Sequence, residues 1–153
     1  YQDLLEKGFS KEEIFAHEVL HVLPQYKIQV NQNGFKQYAQ YFIDKFKNAT
    51  GWEDFDYSYE HALQVGEKIC GESIDVEADR GIALDRIDPI PREDKKDKQT
   101  VLNRISEVSS LFRDRNIVSG IASATETHQR IFIVYGASHA VMQEPALRKL
   151  FTQ

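Results

Sequence analysis

Much of the structural information in the chain sits in Arg130-Ile131-Phe132-Ile133-Val134-Tyr135-Gly136-Ala137-Ser138-His139. Residues 131–135 form an uninterrupted run of β-branched and aromatic side chains, the pattern of a strand covered on both faces. Gly136 ends the run and allows a sharp turn with close backbone approach, which a side chain would block. His139 then stands three residues past the strand, just before the segment 141–150. In an open α/β sheet, ligands bind in the crevice at the carboxyl ends of the strands. His139 is therefore a candidate general base, metal donor or ligand contact, with Tyr135, Gly136 and Ser138 beside it.

A doubly covered strand needs neighbours, and the rest of the chain supplies few. Residues 27–30 are one candidate and residues 81–84 a weaker one. Either the domain is mostly helical with a small sheet, or the missing strands lie upstream. The second reading is the expectation, because the chain opens on Tyr1 and not on methionine. The fold class expected is α/β, helix-rich, with few strands in these 153 residues, which form a single domain or the C-terminal part of a larger one.

The helices follow from capping and periodicity. Lys7-Gly8-Phe9 marks a helix end, and Ser10-Lys11-Glu12-Glu13 is a capping box opening a second helix, expected to run to about Leu23 before Pro24. Phe35, Tyr38, Ala39, Phe42 and Phe46 recur at helical spacing, giving a third helix whose aromatic face belongs to the core. Residues 48–56 are expected as a loop, ahead of a fourth helix from Ser58 to Cys70 closed by Gly71. Residues 88–99, with Pro89, Pro91 and a charged run, are expected as an exposed connector. Thr100 is placed to cap a long helix reaching Thr127.

Composition narrows the function. The chain carries a net charge of −5, and its one basic cluster, residues 95–98, is diluted by acidic neighbours, which argues against nucleic-acid binding. No apolar stretch reaches the length of a membrane span, roughly 20 residues. Cys70 is the single cysteine, so no intrachain disulfide framework exists. It has no histidine at motif spacing and is expected to be an inert thiol. A small-molecule or peptide substrate remains, and self-association into a homo-oligomer is open.

On the long helix, the apolar stripe of Val101, Ile105, Val108 and Phe112 continues to Arg115. An inward guanidinium must find a carboxylate, a bound anion or water, because an unpaired buried charge is costly. Arg115 is thus expected either in a structural ion pair or lining the same crevice as His139. Arg113-Asp114-Arg115-Asn116, followed by residues 131–139 with Gly136-Ala137-Ser138-His139, resembles the C-terminal portion of the TraB/Tiki/erythromycin-esterase/ChaN-like superfamily. Leu147 and Leu150 occupy the leucine-bearing helix of that pattern. The resemblance covers about residues 100–151. It implies a hydrolase of esterase or metal-dependent peptidase type, with a divalent metal ion at His139, while other members bind haem or lack an assigned activity. The pattern includes an earlier Gly-x-x-His, which this chain lacks. His139 is accordingly expected to act as base or metal ligand, with Arg115 stabilising negative charge; the alternative is a non-catalytic small-ligand module, haem-like, with His139 and Tyr135 as contacts.

A second motif competes. His17-Glu18-Val19-Leu20-His21 matches His-Glu-x-x-His, which on a helix can supply two zinc ligands and a glutamate base. Pro24 ends the helix soon afterwards, and no third ligand follows at short spacing. On a helical wheel both histidines lie opposite Phe15, Val19, Val22 and Leu23, so they are expected to face solvent and to bind no structural zinc. The zincin-like fragment is kept as a further alternative. His61 and His128 are expected at the surface.

Overall fold

A computed structural model describes residues 1–23, 26, 34–76, 85–87, 99–134 and 136–151. These residues form six helices: α1 (Gln2–Glu6), α2 (Lys11–Leu20), α3 (Gly34–Thr50), α4 (Tyr59–Cys70), α5 (Val101–Thr127) and α6 (Ala137–Phe151). There is no strand among them. The expected α/β class is therefore corrected to an all-helical one. Candidate strands 27–30 and 81–84, and most of the expected connector, fall outside the described residues; Gln99 at its end is exposed.

Residues 131–134 carry the correction. They take no regular structure, and Phe132 and Val134 are 92% and 81% exposed, with Ile131 and Ile133 exposed as well. Strand preference is a fit to a pleated, half-buried surface supplied by neighbouring strands. Among the described residues no such neighbour exists, so the apolar pattern has nothing to pair with.

The chain divides into two compact units, Tyr1–Val108 and Ser109–Gln153. In the first, α2 is the centre and packs on α3 and α4. Ser10 starts it with a full capping box: its hydroxyl accepts from Glu13 N–H at 3.1 Å, and the Glu13 carboxylate accepts from Ser10 N–H at 2.8 Å. Ile14, Phe15, Ala16, His17, Val19 and Leu20 are all buried. Around the Phe15 ring stand Phe46, Phe55 and Tyr57, with centroids 5.3, 5.4 and 5.8 Å away. Of the face expected of α3, Phe35, Ala39 and Phe46 are buried, with Ile43 beside them, while Tyr38 and Phe42 are half-buried. Ser58 caps α4 by accepting from His61 N–H, and Gly71 closes it in the left-handed region at φ 72°.

Thr100 opens α5 as expected, its hydroxyl accepting from Leu102 N–H at 3.1 Å while Asn103 accepts from Thr100 N–H at 2.8 Å. Leu102, Asn103 and Ile105 carry the helix into the first unit's interior. In the second unit, Ile121 is the one buried apolar side chain among the described residues. There, α6 bonds to α5 through His139 and Gln143, which both meet Asp114.

Candidate functional site

His139 sits in the first turn of α6, whose start is formed by Gly136: its carbonyl accepts from His139 N–H at 3.1 Å and from Ala140 N–H at 3.4 Å. The turn does not depend on glycine for space. A side-chain carbon built at Gly136 would meet His139 Cδ2 at 3.9 Å, an ordinary contact, so the expected close approach is corrected. Tyr135, and with it the tyrosine contact of the haem-like alternative, lies outside the described residues, as does the side chain of Ser138.

His139 Nδ1 lies 2.8 Å from Asp114 Oδ1 on α5. Gln143, one turn further along α6, donates from Nε2 to the same oxygen at 2.7 Å. Burial raises the Asp114 pKa, but the hydrogen bonds from Gln143 and His139, with the charges of His139 and Arg113, outweigh it and hold the carboxyl below its ordinary range. Asp114 is therefore ionised near neutral pH and can only accept. The proton of this bond must sit on His139 Nδ1, which in the neutral ring leaves the Nε2 lone pair for chemistry. Gln143 is 1% exposed, and its Oε1 has no hydrogen-bond partner.

Arg115 is exposed, so the expected inward guanidinium is corrected. The predicted stripe is half right: Ile105 is buried, and Val101, Val108 and Phe112 are half-buried. Beyond Val108 the helix belongs to the second unit, and there Asp114 is the residue turned toward α6. Asp114 lies beside the apolar stripe and not on it, so helical periodicity does not mark it. Its spacing from His139 carries no motif, and only the pairing of α5 with α6 brings the two together.

In the first unit, His17 and His21 are not the solvent-facing pair expected. His17 is 7% exposed and His21 half-buried. The wheel argument fails because α2 is enclosed on nearly all sides and has no single polar face. His17 Nε2 is 2.7 Å from Ser106 Oγ on α5. His21 Nδ1 is 3.2 Å from the His17 carbonyl, and the two rings stack 5.2 Å apart with their planes 4° from parallel. Glu18 is half-buried, and burial of Tyr1 together with the nearby Glu18 carboxylate pushes the Tyr1 pKa up. One ligand atom each from His17, Glu18 and His21 falls within 4.8 Å of the others. Among the described residues, this is the one group of three or more such donors, and His139 joins none.

Other candidates resolve simply. Cys70 is half-buried, and burial, modified by Arg86 and Glu72, raises its thiol pKa, so little thiolate is present. His61 is half-buried and stacks on Phe15, with centroids 6.3 Å apart; His128 is exposed. No described helix is long and apolar enough to cross a membrane. Compared with known proteins, the chain matches no family model, no curated sequence and no solved structure.

Proposed function

We propose that the chain carries a histidine-centred hydrolytic site of the TraB/Tiki/erythromycin-esterase/ChaN-like type, with His139 as general base. The observation that supports this reading is the bond between His139 Nδ1 and Asp114 Oδ1 at 2.8 Å, with Gln143 holding the same oxygen. A carboxylate on one ring nitrogen fixes the tautomer and stabilises the imidazolium that forms when the other nitrogen takes a proton. His139 Nε2 takes a proton from water as the water oxygen bonds to the carbonyl carbon of an ester or amide. Nε2 then returns that proton to the leaving oxygen or nitrogen as its bond to carbon breaks. The resemblance offers Arg115 as the cation for the developing oxyanion; it is exposed, one position along α5 from Asp114. The divalent ion implied by the resemblance does not fit His139, which joins no group of three donors among the described residues. The base role therefore stands without one.

The test is turnover of a panel of simple esters and amides by the intact chain. His139→Ala should abolish turnover while the helical circular dichroism is retained, and Asp114→Asn should lower kcat by about 10²–10⁴-fold, the usual worth of an oriented base. Arg115→Ala should lower kcat as well. Absence of turnover in the intact chain, or activity that survives His139→Ala, would overturn the reading.

A further inference from the structure

The His17-Glu18-Val19-Leu20-His21 segment is not used by the hydrolytic site, and it concentrates the strongest donors of the first unit. We propose that His17, Glu18 and His21 bind a single divalent transition-metal ion of the zinc class, with Glu18 as the third ligand. This differs from the metallopeptidase use of the same motif, in which the glutamate is the base and a distant residue completes the ligand set. The third donor sought further along the sequence is supplied from within the motif.

Convergence is the first argument. The three ligand atoms already lie within 4.8 Å of one another. Metal–nitrogen and metal–oxygen bonds of about 2.0–2.2 Å span donor separations of roughly 3.3–4 Å, so small side-chain rotations close the group. Orientation is the second. A carbonyl only accepts, so the 3.2 Å bond from His21 Nδ1 to the His17 carbonyl puts the proton on Nδ1 and leaves Nε2 as a donor to metal. Ser106 at 2.7 Å from Nε2 fixes the His17 ring.

Chemistry selects the ion. Two parallel imidazoles 5.2 Å apart are poor neighbours when both are protonated, but they suit one shared cation when neutral. Two imidazoles and one carboxylate form the set of open zinc sites, which leave a fourth position for water. Calcium and magnesium, which take oxygen ligands, are disfavoured by it.

The intact chain, freed of metal with chelator, is titrated with zinc by calorimetry and with cobalt(II) by its visible absorption. One ion per chain is expected, together with a rise in thermal midpoint on adding zinc. His21→Ala and Glu18→Gln, both at half-buried positions, should each weaken binding at least about tenfold and remove the midpoint rise. His139→Ala should bind like wild type. No binding by the intact chain, binding that survives either substitution, or binding lost with His139→Ala would each overturn the assignment. The hydrolytic site is tested separately, through turnover.

Discussion

At Asp114 a single carboxylate joins two helices. It takes hydrogen bonds from His139 and Gln143 on α6, and its pKa lies below the ordinary value despite burial, which acts to raise it. A depressed carboxyl contributes stability that is fully present above its unfolded pKa, about 3.9, and is lost as pH falls through the folded value. Thermal unfolding followed between about pH 2 and pH 6 should show the midpoint climbing through the lower part of that range, then levelling. Asp114→Asn should flatten the acid limb. An acid limb unchanged by the substitution would mean that other carboxylates set it. The residue scale is also where the sequence was least legible. His139 could be picked out because glycine and a break in apolar pattern precede it. Asp114 carries no such mark, and its partner lies 25 positions away. A wheel presumes one apolar side and so puts His17 in solvent, whereas α2 is buried nearly all round.

Helices, by contrast, were largely readable, because their ends are written in local chemistry. Ser10 and Thr100 cap where expected, Ser58 caps the helix expected to begin at it, and Gly71 closes α4 in the left-handed region. α2 stops at Leu20, somewhat short of the expected Leu23, and α3 continues to Thr50 through the start of the expected loop. What local chemistry does not contain is how closely two helices approach. Gly66 on α4 is buried, and a side-chain carbon built there would clash with Leu20 Cδ1 on α2 and touch Ile74 Cδ1 at 3.5 Å. Leu20 is 1% exposed and Ile74 5%, so the end of the leucine has little space to yield. Gly66→Ala gains about 1 kcal/mol of helix propensity but overpacks the contact by about 1–3 kcal/mol. The expected outcome is net destabilisation, seen as a lower urea midpoint with unchanged slope. Leu20→Ala in the same background should recover part of the Gly66→Ala loss in a double-mutant cycle; additive losses would show that the two positions do not meet.

Across the whole molecule, the two units differ in what holds them. The first encloses an aromatic core around Phe15, while the second buries Ile121 alone among its described apolar side chains. The second unit also exposes Phe132, Val134, Val141, Met142 and Phe151. The doubly covered strand expected from the apolar run is not formed at residues 131–134, whose side chains are exposed, because no neighbouring strand is present among the described residues. An exposed, uncharged run of β-branched and aromatic residues outside regular structure offers backbone and apolar side chains together, the combination that templates strand pairing between molecules. The expected consequence is concentration-dependent self-association through this run. Phe132→Lys with Val134→Lys puts two like charges on it, and pairing of two copies would then bring those charges together. Sedimentation velocity over a range of concentrations should show wild type associating and the double variant remaining monomeric, with equal helical circular dichroism. Equal association of the two proteins would place the contact elsewhere, and a monomeric wild type would mean that the exposed run pairs with nothing at those concentrations.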